Sequence, residues 1–419
     1  MNKRILTVVF GLNRGGTERS AQNFAIGYKE MGFDSRVLYT KEIGINPLYR
    51  KKILNKKGIP VYYLKNTKHK FSLKQWRPDI IHIHSHAVSV TDFSKIKKMY
   101  PNAKYVETNV FSHPSNWSDD LNISLQLSNW CEWKYRGYSK KKTKKISILP
   151  YPIMCEDYIQ TKKERFENNL FIRNKYKIPK DVYVIGRIGQ PDDSKWSVWI
   201  VDIFESLNKS GFKTFLLLVS PPSKIIKQIK QSNYRNQVII IGTIHDDKYL
   251  KKIYSSINLF LSIGYQGESF GYVNTEAILT GTPVLTLATP WSDNSQIEIV
   301  KNNVCGYVVH RKDTLYKVVQ KLILKEIIYN SKLGVKSIKD RFDYRKVCKR
   351  FISIVENKHN QNFSNKRIIN LMNMSIDKPK FLVIFFLKIN MPNLTFYVSG
   401  YDKWPNIIYK ALKKIFWKF

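Results

Sequence analysis

Short, nearly continuous apolar runs that alternate with amphipathic stretches constrain the fold of this chain more than any other feature. A strand covered on both faces carries apolar residues in succession, so such runs point to parallel sheets with helices on either side. The first half contains ILTVVFGL, SRVLYT, IPVYYL, PDIIHIH, AKYVETN and ISLQLS. After the first of these, Ala21, Phe24, Ala25, Tyr28 and Met31 share one helical face, with Gly32 at its end. The second half repeats the grammar in YVIGRIG, TFLLLVS, VIIIGTI, LFLSI, PVLTLA and GYVV, with helical segments predicted near 199–207, 225–231, 249–254 and 272–280. The prediction is an α/β chain of two Rossmann-like, doubly wound parallel-sheet domains.

A length of 419 residues suits two such domains and a tail. The stretch ILPYPIMCEDY, with two prolines, marks a hinge near 150–157. The resulting division is 1–150, 151–357 and a tail at 358–419 that does not continue the strand–helix rhythm. The N-terminal apolar run at 5–12 is short and is followed by a glycine turn, so it reads as a buried strand and not as a leader peptide. No apolar run approaches the ~20 residues that span a bilayer. Four cysteines lie far apart without a CxxC pair, which suits a reducing, cytoplasmic setting and argues against a disulfide or zinc framework. The 71 Lys and Arg exceed the 32 Asp and Glu by 39. That excess fits an anionic partner, and it equally fits AT-rich coding, since Lys, Asn, Ile and Tyr are abundant together.

Ligands of doubly wound sheets sit at the carboxyl ends of strands, near helix N-termini. Four places follow from that rule. Gly15 and Gly16, in the turn after the first strand, read as a phosphate-approach turn or as a plain tight turn. Arg187 and Lys195, in GRIGQPDDSKW, offer a fixed guanidinium fork and a mobile ammonium for a diphosphate. Glu268 and Glu276, in GESFGYVNTEAILTGTPV, stand on a loop and in the first turns of a helix. They suit hydrogen bonds from vicinal sugar hydroxyls, or act only as partners of the helix dipole, worth ~0.3–1 kcal/mol. The amides of Phe270, Gly271, Tyr272 and Val273 start that helix, and Gly271 permits close approach. The fourth place is the alternating triplet His82, His84 and His86, which lacks the carboxylate or cysteine spacing of a metal site.

Taken together, GGTERSAQNFAIGYKEMGF, PDIIHIHSH, VETNVF, the GRIG…SKW segment and above all ESFGYVNTEAILTGTPVL resemble the family 4 glycosyltransferases of the GT-B fold, over roughly 1–357. The resemblance implies two Rossmann-like domains facing across a cleft and retaining transfer of a hexose-type sugar from a nucleotide-diphosphate sugar to a glycan or lipid-linked acceptor. Surface polysaccharide or glycolipid synthesis is the expected setting. It implies that Glu268 holds hydroxyls of the donor sugar and Glu276 the ribose, while Arg187 and Lys195 neutralise the diphosphate. Amides around Gly16 and Gly271 complete that cradle, and His84 stands beside the anomeric centre. It further implies that the nucleotide sugar is a co-substrate, that no separate cofactor is used, and that cations replace a divalent metal, in keeping with the absence of a D-x-D triplet. The spacing of Arg187 and Lys195, and Trp196 after the lysine, depart from the family pattern. So does TPWSDNSQIE in place of a Gly-Gly turn, where Asn294, Gln296 and Glu298 either contact a sugar or cap a helix.

The closing NIIYKALKKIFWKF sorts Ile408, Leu412, Ile415, Phe416 and Phe419 onto one helical face and Lys410, Lys413, Lys414 and Lys418 onto another. Such a basic amphipathic helix suits the anionic inner face of a plasma membrane, or packing back on the first domain. The competing readings are a basic anion- or nucleic-acid-binding protein on the same scaffold and a sugar epimerase or phosphorylase. No nucleic-acid module is recognisable, and no nucleic-acid partner is expected.

Overall fold

The computed structural model describes residues 3–42, 46–84, 89–138, 145–358 and 365–388. In chain order the first half is β1 (Arg4–Val9), α1 (Gly16–Glu30), β2 (Asp34–Tyr39), α2 (Tyr49–Lys56), β3 (Val61–Tyr63), α3 (Thr67–Trp76), β4 (Ile80–His84), α4 (Val90–Met99), β5 (Lys104–Asn109), β6 (Ile123–Gln126), α5 (Asn129–Tyr138) and β7 (Ile146–Ile148). The second half is α6 (Lys162–Lys175), β8 (Tyr183–Ile188), α7 (Trp199–Lys209), β9 (Thr214–Val219), α8 (Ser223–Gln231), β10 (Val238–Ile241), α9 (Asp247–Ser256), β11 (Leu259–Ser262), α10 (Tyr272–Leu279), β12 (Val284–Leu287), α11 (Gln296–Val300), β13 (Gly306–Val309) and α12 (Lys312–Ile323). Four helices close the chain: α13 (Ser331–Phe342), α14 (Tyr344–Val355), α15 (Asn365–Asn373) and α16 (Phe381–Lys388).

The chain forms two compact units, 1–154 with 340–363, and 155–339 with 364–419. The first holds a seven-stranded parallel sheet in the order β3-β2-β1-β4-β5-β6-β7. Its strand order reverses between β1 and β4, whose register pairs Thr7 with His82. The second holds a six-stranded parallel sheet, β10-β9-β8-β11-β12-β13, with the reversal between β8 and β11. Each reversal opens a crevice at the strand carboxyl ends, the place where such sheets bind ligands.

The cores follow from the apolar runs. In the second unit Ile185, Leu216, Leu218, Leu259, Leu261 and Leu285 meet Ile200, Phe204 and Leu207 of α7. In the first, Leu6, Val8, Ile81 and Ile83 pack against Leu73, Trp76, Phe93 and Ile96 of α3 and α4. The opposite face of that sheet carries α1, and beside it α14.

This placement of α14 departs from the sequence-based boundary at 357, which leaves 340–357 with the second domain. Val347, Cys348, Phe351, Ile354 and Val355 of α14 share a buried cluster with Ile5, Phe24, Tyr28 and Val106. Three lysines at or just before strand starts hold the end of the helix: Lys104 donates to Val355 O, Lys145 to Ile354 O at 3.1 Å, and Lys3 pairs with Glu356 at 2.8 Å. Cations at a helix C-terminus complement its dipole and its unpaired carbonyls.

The first part of the expected tail covers the β13 edge of the second sheet. Ile376 N donates to Val308 O at 3.0 Å, His310 N to Asp377 Oδ1 at 2.6 Å, and Asn302 Nδ2 to Met374 O at 2.7 Å. The amphipathic segment 406–419 lies outside the described residues. Among the described residues, no helix is long and apolar enough to cross a membrane.

Candidate functional site

In the second unit, Arg187 is the penultimate residue of β8, at the strand-order reversal. Its side chain is buried; Nη1 donates to Ser262 Oγ at 2.9 Å and Nη2 to Lys195 O at 2.9 Å. Lys195 ends a short 3-10 turn, Asp193–Lys195, whose start is held by the Asp192 side chain accepting from Ser194 N. Its Nζ lies 3.1 Å from Gly267 O and 3.3 Å from Glu268 Oε2. The other oxygen of Glu268 lies 3.9 Å from Arg187 Nη2. Arg187, Lys195 and Glu268, far apart in sequence, therefore form one cluster of two cations around one carboxylate. Burial draws Arg187 below its usual value, and the Glu268 charge opposes that shift.

Glycines let the surrounding loops approach so closely. A Cβ on Gly264 would meet the Lys195 carbonyl at 2.6 Å. Gly267, at φ 68°, has no room for one against Asp293 O and Thr289 Oγ1. Gly271 caps α10 in the left-handed region, φ 89° and ψ 69°, and a Cβ there would stand 2.9 Å from Asn274 Nδ2 and 3.1 Å from Glu268 Cγ. The turn thus sets Phe270 and Gly271 against the helix start. The first amides of α10, at Tyr272 and Val273, point out of the helix end, as the opening amides of any helix do.

Glu276 sits one turn into α10 and is buried. Its carboxylate accepts from Tyr158 Oη at 3.2 Å and from Tyr254 Oη at 2.8 Å. Neither tyrosine stands out in the sequence, where Tyr254 falls only within the helical segment predicted near 249–254. Asn294 and Gln296 are also turned inward. Gln296 accepts from Glu268 N at 3.0 Å and donates to Leu287 O at 2.9 Å, while Asn294 Oδ1 accepts from Thr289 N at 2.8 Å. These two side chains brace the loops behind Glu268, and α11 has no side-chain cap. Glu298 lies in the first turn of α11.

In the first unit, Gly15 is the N-cap of α1 and Gly16 its first residue. Gly15 has an ordinary φ of −58°, and its lack of a side chain makes room for the Glu18 carboxylate, which folds back onto it. Arg50 ties the turn down through Arg14 O at 3.2 Å and Gly15 O at 3.4 Å. Burial raises the Glu18 pKa, and Arg50 draws it back. The sequence singled out the glycines; the carboxylate that fills their turn is what the structure adds.

His84 ends β4, fully enclosed, with Phe24 and His82 beside it at ring-centroid distances of 5.8 and 4.6 Å. Among the described residues neither ring nitrogen has a hydrogen-bond partner, and burial lowers its pKa to about 3, so the ring is neutral. His82 by contrast is held between Tyr28 Oη at 2.9 Å and Thr108 Oγ1 at 2.7 Å. His86 lies outside the described residues. One strand over, Glu107 is buried with no cation paired to it among the described residues; Oε2 accepts from Asn109 Nδ2 at 3.2 Å and Ser124 Oγ at 3.5 Å. Desolvation raises its pKa to about 7, against the pull of these and the neighbouring Ser115 and Trp117. Among the described residues no three His, Cys, Asp or Glu side chains gather as metal ligands.

Residues 168–339, which include the Arg187, Lys195, Glu268 and Glu276 positions, match the family model of the glycosyl transferases group 1. The capsular polysaccharide biosynthesis glycosyltransferase CapM of Staphylococcus aureus is 25% identical over 212 residues, 48% of this chain and 52% of that protein. The chain thus spans about half the length of that curated relative. Among solved structures, HepE of Anabaena in complex with UDP and glucose superposes with a TM-score of 0.69 at 14% identity, over 85% of this chain and 100% of that one. A glycosyltransferase of Rickettsia africae superposes with a TM-score of 0.67 at 18% identity, over 85% and 98%. At these identities the likeness establishes the fold, which is GT-B.

Proposed function

We propose, for a chain with the GT-B fold whose residues 168–339 match the family model of the glycosyl transferases group 1, that it transfers a hexose-type sugar from a nucleotide-diphosphate sugar to a glycan or lipid-linked acceptor. The observation that carries this reading is the meeting of Arg187 and Lys195 on Glu268 beside the glycine-capped start of α10. A donor diphosphate brings the negative charge that two cations and a helix N-terminus stabilise. Its arrival frees Glu268, which then accepts hydrogen bonds from hydroxyls of the sugar. Glu276, aimed by Tyr158 and Tyr254, accepts from the ribose.

The reaction retains the anomeric configuration and needs no divalent metal. The bond from the anomeric carbon to the diphosphate oxygen breaks, and the nucleoside diphosphate leaves with the electron pair. The acceptor hydroxyl attacks from the same face, and its proton passes to the departing phosphate. Arg187 and Lys195 stabilise charge that grows on the phosphate as this happens, an effect strongest where water is excluded. His84, neutral and held on β4, would border the acceptor side of the anomeric centre. HepE was solved with UDP and glucose and CapM acts in capsule synthesis by name, which favours a nucleotide-hexose donor and a surface-polysaccharide acceptor. A lipid-linked acceptor would bring the protein to the inner face of the membrane.

The test is a panel of nucleotide sugars offered with a capsule-type or lipid-linked acceptor in the presence of a chelator. Release of nucleoside diphosphate, with a product of unchanged anomeric configuration by proton NMR, supports the proposal. An inverted product, or release that depends on added metal, overturns its mechanism.

A further inference from the structure

The edge of the first sheet carries a charge that the transfer reaction does not use. Between 46 and 78, across α2, β3 and α3, the sequence has ten cations (Arg50, Lys51, Lys52, Lys56, Lys57, Lys65, Lys68, Lys70, Lys74 and Arg77) and no acidic residue. Over the whole chain the ratio is 71 to 32. A genome-wide bias toward lysine raises the cations everywhere, but it does not empty one surface of acids. Structure concentrates the effect. β3 is the terminal strand of its sheet and pairs only with β2. α2 packs inward through Leu54 with Val37 and Tyr39, and α3 packs on the opposite face of the sheet through Leu73 and Trp76. The two helices therefore flank the edge and turn their remaining sides to solvent.

Lys52, Lys56, Lys57, Lys65, Lys68, Lys74 and Arg77 are exposed, and none pairs with a carboxylate among the described residues. Of the other three, Lys51 and Lys70 are half-buried, and Arg50 is buried and spends its guanidinium on Gln22 and the turn before α1. Between Lys68 and Lys74, three residues from each and so on the same side of α3, stands Phe71, 67% exposed. Lysines at a sheet edge also discourage strand-to-strand aggregation. That role needs charge on the strand, which is only three residues long, whereas most of these cations lie on the flanking helices.

We propose that the β3 edge of the first sheet is a docking surface for an anionic lipid bilayer, with Phe71 entering among the headgroups. The composition distinguishes this partner from a nucleic acid. The exposed cations are almost all lysines, point charges that suit a diffuse anionic surface, where arginine forks would read individual phosphates. Phe71 is one ring among cations, not a row of platforms on which bases stack. Each lysine near such a surface contributes about fivefold in partition at low salt (~1 kcal/mol), and the attraction is screened beyond a Debye length. The surface belongs to the first unit alone and is independent of the sugar-transfer reading and of the closing segment 406–419.

The experiment is co-sedimentation of the full chain with vesicles of phosphatidylcholine alone and of phosphatidylcholine with equimolar phosphatidylglycerol. The wild type should partition to the anionic vesicles only. The triple variant Lys56→Gln, Lys68→Gln and Lys74→Gln should bind about a hundredfold more weakly, from the fivefold contribution of each lysine. A second triple, Lys52→Gln, Lys57→Gln and Lys65→Gln, should fall by a similar factor, and Phe71→Ser should lose binding with no change of charge. A matched triple on the second unit, Lys209→Gln, Lys332→Gln and Lys336→Gln, should bind as the wild type does. The proposal is overturned if the matched triple loses as much as the edge triples, because net charge would then be the cause. Equal binding to neutral vesicles also overturns it, as does loss of binding only when 406–419 is removed. So does displacement from the vesicles by duplex DNA at equal phosphate concentration.

Discussion

Tyr254 donates its phenolic hydrogen bond to Glu276 at 2.8 Å, from the last turn of α9 to the first turns of α10. With Tyr158 on the same carboxylate, a buried charge is aimed by two buried phenols. Such a bond to a charged acceptor is worth ~1.5–3 kcal/mol. Tyr254→Phe is therefore expected to weaken nucleotide-sugar binding about tenfold and to lower the unfolding midpoint, with calorimetric titration and thermal unfolding as the measurements. Binding unchanged in Tyr254→Phe and in Tyr158→Phe alike would separate these tyrosines from donor recognition.

Gly271 offers a backbone test. At φ 89° an L side chain is strained, and the Cβ of alanine would press on Asn274 and Glu268. Gly271→Ala should cost about 1–2 kcal/mol of stability and reduce donor affinity more than it reduces folding. A crystal soak or titration with the nucleoside diphosphate reads the second effect. A stable variant with full affinity would mean that the turn tolerates displacement.

His84 separates stability from chemistry. Two buried ring nitrogens without partners each carry a desolvation cost of ~1–3 kcal/mol. Replacing the ring with phenylalanine keeps its shape and removes that cost. His84→Phe should raise the unfolding midpoint, and it should lower turnover if the imidazole acts at the anomeric centre. A stabilised variant with wild-type turnover would leave His84 a structural residue.

Glu107 predicts a pH signature. Its pKa in the fold, about 7, lies above the ordinary carboxylate value of 4.5. The folded protein therefore holds a proton that the unfolded chain releases. The stability this contributes is fully present below about pH 4.5 and is lost as the pH rises through 7, a change on the order of 3 kcal/mol. Glu107→Gln, neutral throughout, should flatten that part of the denaturation-versus-pH curve. An identical slope in both proteins contradicts the assignment.

Much of the fold is legible in the sequence because parallel strands buried on both faces cannot hide their apolar character. ILTVVFGL and TFLLLVS are strands β1 and β9 in the structure, and the turn-to-helix change within GESFGYVNTEAIL is loop and α10. The position of α14 is not legible. Its apolar stripe, from Val347 to Val355, says that the helix packs, not on which sheet, and the partner residues lie more than three hundred positions earlier, at Ile5, Phe24 and Tyr28.

The site shows the same division. Arg187, Lys195, Glu268 and Gly271 stand out by residue type at strand ends and turns, and the structure joins them. Tyr158 and Tyr254 do not, because a buried tyrosine that aims a carboxylate has the same pattern as one that fills a core. Gly15 stands out as a turn residue, and what the structure adds is that its missing side chain accommodates Glu18. Asn294 and Gln296, candidates for sugar contact or capping, brace the loops behind Glu268 and do not cap α11. That role depends on hydrogen bonds to main-chain groups, which no side-chain pattern records.

Glu268, held between Arg187 and Lys195, is expected to serve transfer from a nucleotide sugar without a metal. The most direct measurement is nucleoside-diphosphate release with chelator present, for the wild type and for Glu268→Gln, alongside binding of the nucleoside diphosphate itself. The wild type should turn over. Glu268→Gln should lose about a hundredfold or more in kcat, as removal of a contact made to the reacting sugar does, while its affinity for the nucleoside diphosphate is kept or raised. Equal turnover in the two proteins, or no release from any nucleotide sugar, would contradict the account.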